Sequence, residues 1–116
     1  MSITSKVRQT VVLTGTGQLQ SLVVDNTANP TTGTATDIKK INIMNIFAMS
    51  SGANAEIKIY NETGSATAKN LVFHGKFGTT ANEVQEFKMP GAGIYCDEGA
   101  YAVLANIDFF YVVGTF

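Results

Sequence analysis

"AEIKIY", residues 55–60, alternates apolar and polar side chains. Ala55, Ile57 and Ile59 fall on one side of an extended chain, and Glu56, Lys58 and Tyr60 on the other. Successive side chains of a strand point to opposite faces, so this period of two marks a strand with one dry and one wet face. Ser50-Ser51-Gly52 precedes it and Asn61-Glu62-Thr63-Gly64-Ser65 follows it. Both clusters consist of residues that favour turns, which bounds the strand at each end.

The same signal recurs outward from this point. "KKINIMNIFAM" (39–49) carries two overlapping alternations, Ile41/Ile43 and Met44/Ile46/Ala48. A bulge, or burial on both faces, explains such a change of phase. "RQTVVLT" (8–14) and "LQSLVVD" (19–25) flank Gly15-Thr16-Gly17, which reads as a turn. "NLVFHGK" (70–76), "VQEFKM" (84–89), "YAVLANI" (101–107) and "FFYVVGT" (109–115) complete a set of about eight strands. Residues 26–37, "NTANPTTGTATD", have no apolar face and read as a long loop. Few segments have a helical period, and no repeat implies a solenoid.

Short strands with almost no helix imply a sandwich or barrel. The expected fold is an all-β, antiparallel β-sandwich, jelly-roll-like, with about eight strands. An immunoglobulin-like sandwich ranks second. Its Cys…Trp…Cys hallmark cannot occur in a chain with no Trp and one Cys. The 116 residues suit one domain spanning 1–116, with an extended N-terminal segment.

Composition narrows the function. The net charge is −1 and 15% of residues are charged, so no excess of Lys or Arg is present to displace counterions from nucleic acid. The hydrophobic fraction, 45%, argues against a disordered solubilising chain and for one that covers much of its surface. One Cys cannot form an internal disulfide. The start, Met-Ser-Ile-Thr-Ser-Lys, lacks the apolar core of a signal peptide, and no run reaches the ~18 apolar residues of a membrane helix. The expectation is synthesis in a reducing cytoplasm, with no membrane partner.

Reactive residue types give no catalytic pattern. Gly15-Thr16-Gly17 and Gly91-Ala92-Gly93 lack the third glycine and following helix of a dinucleotide site, and no Gly-Lys-Ser/Thr element follows them. Turns at positive φ are the simpler reading. His74, the sole histidine, has only the distant Cys96, Asp97 and Glu98 as potential metal partners, at no recognised ligand spacing. It reads as a surface or interface residue. Cys96 has neither a nearby His nor a Cys-x-x-Cys partner and reads as a small buried hydrophobe. Asp97 and Glu98 are adjacent, so a strand would aim them apart. They read as a solvated turn ending in Gly99. Pro90 and the glycines at 91 and 93 read as a corner between sheets. The Asn61-Glu62-Thr63 sequon carries little meaning without a secretory signal. Neither an enzyme nor any cofactor is expected.

Phe109, Phe110 and Tyr111 put aromatic rings on both faces of the closing strand, and Phe116 ends the sequence. One face packs into the core. The other is either an ordinary exposed surface or a contact with another subunit.

The order of these features resembles small all-β virion proteins of tailed bacteriophages. The similarity covers about residues 40–116. An x-Pro-x-Gly-Ile type of corner leads to a short strand, an acidic turn, a Tyr-Ala-x-Leu strand and an aromatic, β-branched closing strand. The matching residues are Pro90, Gly93, Ile94, Gly99, Tyr101, Leu104 and Val112. The resemblance implies a capsid decoration or cement protein on the outer surface of the virion. It would bridge major capsid protein subunits, and it suggests a homo-oligomer, a trimer. A head–tail junction or tail component is the alternative, and a carbohydrate-binding sandwich is weaker because Trp platforms are lacking. Terminal arms and long loops are free to reach neighbours, so the expected contact residues are Ser2, Lys6, Arg8, Asn29, Thr32, Phe109, Phe110, Tyr111 and Phe116.

Overall fold

The computed structural model describes residues 6–10, 13–25 and 32–116, with side chains described for 13–21 and 35–116. These residues form eleven strands and one short 3-10 turn, Ala68–Asn70. The strands are β1 (Lys6–Thr10), β2 (Gly17–Gln18), β3 (Gln20–Asp25), β4 (Thr32–Asp37), β5 (Ile41–Ser50) and β6 (Glu56–Tyr60). They continue with β7 (Leu71–Lys76), β8 (Val84–Lys88), β9 (Ile94–Cys96), β10 (Tyr101–Ala105) and β11 (Ile107–Thr115). Every pairing is antiparallel.

Two sheets make a sandwich. One has the order β11-β5-β8, with β9 continuing the β8 side of β5. The other has the order β2-β10-β6-β7. Ile41, Ile43, Ile46 and Ala48 of β5 meet Ile57 and Ile59 of β6, Ala102 of β10, and Phe110 and Val112 of β11 in one core. The "AEIKIY" alternation is the physical origin of the β6 half. Its Ala55, Ile57 and Ile59 are buried, and Glu56 and Lys58 are partly exposed. Phe87 closes one side of the sandwich against Phe73 and Phe77, edge to face at 5.5 and 5.7 Å.

The change of phase in β5 is a bulge. Val113 pairs with Asn45 and Gly114 with Ile43, which leaves Met44 without an opposite residue. The extra residue lets Ile41 and Ile43 face inward, and then Ile46 and Ala48 as well, while Met44 is exposed. A second irregularity in β11 skips Asp108 between the Ile107–Ser50 and Phe109–Met49 pairs. It brings Ile107 onto the same inward side as Phe110 and Val112.

The third sheet, β1-β3-β4, was not anticipated. Gln20 to Asp25 pairs with Asp37 to Thr32, and Lys6 to Thr10 pairs along the other side of β3. Its root is in the core: Ile38 N–H donates to Leu19 C=O at 3.0 Å, and Leu19 N–H donates to Ala100 C=O at 2.8 Å. Leu19 and Ile38 are both buried. Residues 32–37 are therefore strand, not loop. Thr is β-branched and suits extended backbone. Ala35, Thr36 and Asp37 stay exposed, so this strand needed no apolar face to betray it. The rest of the expected loop, 26–31, lies outside the described residues. With β2 and β9, β4 raises the count above the expected eight.

Gly15-Thr16-Gly17 makes no tight hairpin. Leu13 N–H and C=O pair with Phe110 at 2.9 and 2.8 Å, and Gly17–Gln18 then pairs with β10. This stretch crosses from the edge of one sandwich sheet to the edge of the other. Neither glycine is at positive φ.

Candidate interaction surface

The two outer faces of the sandwich differ in chemistry. On β2-β10-β6-β7, Glu56 and Lys58 stand beside His74 and Lys76. His74 Nε2 lies 3.3 Å and Lys76 Nζ 3.9 Å from Glu56 Oε1. Such exposed pairs add little stability, and they keep this face wet. His74 is an exposed residue of this face.

The outer face of β11-β5-β8 is largely apolar. Phe109 pairs with Met49 and Tyr111 with Phe47 across β11 and β5, and Met49 pairs with Val84 across β5 and β8. Val113 extends the row on β11. Directly opposed side chains in a sheet touch, and residues two apart along a strand share a face, so these six residues form one patch. Val84 is 63% and Val113 42% exposed, and the four larger side chains are half-buried. Polar residues frame the patch on β5 and β8: Asn45, Glu86 and Lys88. Asn45 Nδ2 donates to Glu86 Oε2 at 2.8 Å, while Asn45 Oδ1 is buried without a partner. An antiparallel sandwich ordinarily keeps its outer faces polar, and a grouped apolar patch with a polar rim marks a contact surface.

Phe109 and Tyr111, expected as contact residues, both lie on this patch. Phe110 does not. Its ring is fully buried in the core, because the inward face of β11 is the one carrying Phe110 and Val112. Phe116 is half-buried and lines a cleft of about 500 Å³ at the root of the third sheet, with Ile38, Lys39 and Lys40. Lys6, Arg8 and Thr32 lie on strands β1 and β4 of that sheet; their side chains, and Ser2 and Asn29 altogether, fall outside the described residues. Sequence reasoning missed Phe47, Met49, Val84 and Val113. The "NIFAM" alternation held the signal for two of them: if Ile46 and Ala48 face the core, Phe47 and Met49 face out.

Cys96, Asp97 and Glu98 are each held by neighbouring elements of the fold. Cys96 is buried opposite Ile41. Burial, with a smaller contribution from the Asp97 charge, pushes its thiol up to about 11. The nucleophilic thiolate is then scarce at neutral pH. Asp97 and Glu98 form an exposed turn, as expected, and it is latched to the 61–65 loop. Asn61 Nδ2 donates to Asp97 Oδ1 at 2.7 Å, Glu98 N–H donates to Asn61 Oδ1 at 2.8 Å, and Thr63 Oγ1 donates to Glu98 C=O at 2.6 Å. Gly99 ends this latch at φ +115°, where a Cβ would lie 2.8 Å from Thr63 Oγ1 and 2.9 Å from Glu62 C=O.

Glu62 organises the adjoining turn. It accepts from Ser65 Oγ at 2.6 Å, Thr67 N–H at 2.5 Å and Thr67 Oγ1 at 2.7 Å. These hydrogen bonds, Ser65's foremost, hold its carboxyl down to about 2.

The corner at Pro90–Gly93 lies within one sheet rather than between two, since β8 and β9 both pair with β5. Gly93 sits at φ +91°, and a Cβ there would lie 2.4 Å from Ile43 C=O. The crossing between sheets falls instead at Asp97–Gly99, between β9 and β10.

Among the described residues, no three His, Cys, Asp or Glu side chains gather where they could hold a metal ion. No described helix is long and apolar enough to cross a membrane. The chain matches no protein-family model, no curated protein and no solved structure.

Proposed function

We propose that this chain is a structural virion protein of a tailed bacteriophage, which decorates the outer surface of the head and cements it by docking on the major capsid protein. The observation that carries this reading is the continuous apolar outer face of β11-β5-β8, Phe109, Tyr111, Val113, Phe47, Met49 and Val84. The virion assignment itself rests on the resemblance of residues 40–116. A face of this kind gains from being covered, and the gain grows with the apolar area removed from water. A cement protein acts by adding interface across neighbouring shell subunits, so that they separate more slowly when packaged DNA presses on them. The rim residues Glu86 and Lys88 would fix its orientation, since rim charges steer encounter more than they add affinity. The third sheet gives a second means of reaching a neighbour, because β4 is an edge strand among the described residues and edge strands accept another chain by backbone pairing.

We also read the winding as jelly-roll-like. β5 pairs with β11 in one sheet, β6 pairs with β10 in the other, and the two pairs pass between sheets together as one ribbon.

The test is the number of copies in purified particles, counted by quantitative mass spectrometry. Copies in the hundreds, lost from the head when Val113→Asp replaces the native residue, are expected. Copies sufficient only for a single ring would move the protein to the head–tail junction or tail, and absence from particles would overturn the reading.

A further inference from the structure

β8 is an edge strand with a patterned edge. Glu83 C=O accepts from Ser50 N–H at 2.9 Å, and Met89 N–H donates to Met44 C=O at 3.1 Å. Both of these bracketing residues are odd-numbered, and β8 runs antiparallel to β5 from Val84–Met49 to Lys88–Asn45 without a slip. Alternate residues of an antiparallel strand bond to the same neighbour. Gln85 and Phe87 therefore complete the ladder to β5. Val84, Glu86 and Lys88 direct their N–H and C=O groups the other way, where no described strand pairs with them. The same three residues carry their side chains on the outer face, with Val84 in the apolar patch.

We infer that β8 pairs with β8 of a second copy of this chain, antiparallel and about a two-fold axis, to give one continuous sheet of six main strands. The charges choose the register. With Phe87 opposite Phe87 of the second copy, Glu86 stands opposite Lys88 and Lys88 opposite Glu86. Both are hydrogen-bonding positions of the free edge, and both place their side chains on one face. Moving the register by one repeat sets Glu86 against Glu86, which opposes like charges. The Asn45 amide that donates to Glu86 holds this carboxylate on the rim. Pro90, which has no N–H, ends the pairing.

The β7 edge of the sheet β2-β10-β6-β7 is unlike this one. The outward side chains near the end of β7 are His74 and Lys76, which offer no opposite pair, and a register shift at Val72 interrupts its ladder. Three strands at ~4.8 Å spacing give a face roughly 14 Å across. Pairing two copies doubles that width and keeps both apolar patches on the same side. The pairing is two-fold, in contrast to the trimer that the resemblance implies. It stands on the strand edge and does not require the docking on a shell.

The experiment is sedimentation velocity on the full chain from low micromolar to high micromolar concentration, with hydrogen exchange on the same samples. The expected species at the upper end has twice the 12.4 kDa chain mass, and the Glu86 and Lys88 amides become protected as it forms. Lys88→Glu opposes Glu86 with a second carboxylate and should weaken pairing about ten-fold or more. Glu86→Lys combined with Lys88→Glu re-forms both pairs with signs exchanged and should restore it. A monomer or a trimer at all concentrations overturns the inference and leaves the docking reading standing; a monomer would make Lys88 and Pro90 guards of the edge. A dimer that withstands Lys88→Glu, or that leaves those two amides unprotected, also overturns it, whether or not the double variant folds.

Discussion

Phe109 and Phe110 are consecutive in β11 and occupy opposite environments. Phe110 is fully buried among Ile46, Ala48 and Val112, while Phe109 lies on the outer face opposite Met49. One peptide bond separates a core residue from an outward-facing one.

Alanine replacements should separate the two roles. Phe110→Ala is expected to cost about 3–5 kcal/mol, because it leaves a cavity that a close-packed core fills poorly. Phe109→Ala is expected to cost on the order of 1 kcal/mol and, on the proposed cement role, to weaken attachment to the shell instead. Urea denaturation gives the first quantity, and rebinding to particles stripped of the protein gives the second. Equal destabilisation by both would show that Phe109 belongs to the core.

Val113→Asp tests the patch itself. Val113 is 42% exposed, so the carboxylate can stay hydrated in the free protein and stability should change by less than about 1 kcal/mol. Docking would bury that charge without a partner, and affinity should fall at least about ten-fold. Unchanged rebinding would place the contact on another face.

Glu62 gives the protein a pH response at its 61–67 turn. Its carboxyl is held at about 2, below the ordinary 4.5. A lowered carboxyl pKa means that the charged form is favoured by folding. The associated order is complete above about 4.5 and is lost as pH falls from there through about 2. Carbon-detected NMR should place the Glu62 midpoint near the lower value. The Thr67 amide, which donates to this carboxylate, should exchange faster as the pH falls across that window. Glu62→Gln should abolish the titration and speed Thr67 exchange already at neutral pH.

Cys96 should behave as packing rather than as a reagent. With its thiol pushed from 9.0 to about 11, alkylation of the native chain at pH 8 should be slow and should accelerate on unfolding. A raised pKa favours the protonated form in the folded state. Its contribution is therefore complete below 9 and declines as pH rises through about 11. Cys96→Ser is expected to cost about 1–3 kcal/mol by burying a hydroxyl among apolar groups, without altering attachment at neutral pH. Rapid labelling of folded protein would contradict this.

The sequence revealed those strands that bury one face. Ala55, Ile57 and Ile59 announced β6 because desolvation imposes a period of two, and the doubled phase around Met44 announced the bulge in β5. β4 was illegible because Ala35, Thr36 and Asp37 are all exposed, so no apolar period had to be kept. The assignment of Phe110 to the core was illegible for another reason. The aromatic run Phe109–Tyr111 satisfies either face, and the choice follows from pairing with β5, some sixty residues away in the chain. The outer apolar patch was half legible: Phe109 and Tyr111 stood out as aromatics, whereas Val84 joins them only through its register with Met49. Asp97 and Glu98 are exposed, as read, but their latch to Asn61 was illegible because that partner is distant in sequence.

The rooting of the third sheet has a consequence for engineering. β3 and β4 leave the sandwich side by side at Leu19 and Ile38, and that junction is closed by its own backbone hydrogen bonds. Loop closure costs grow only logarithmically with length once the two ends are fixed. A peptide grafted between Asp25 and Thr32 should therefore ride on the molecule with little effect on the core. If the chain coats a particle in many copies, as proposed, the β3–β4 pair becomes a handle for displaying foreign sequence at high density.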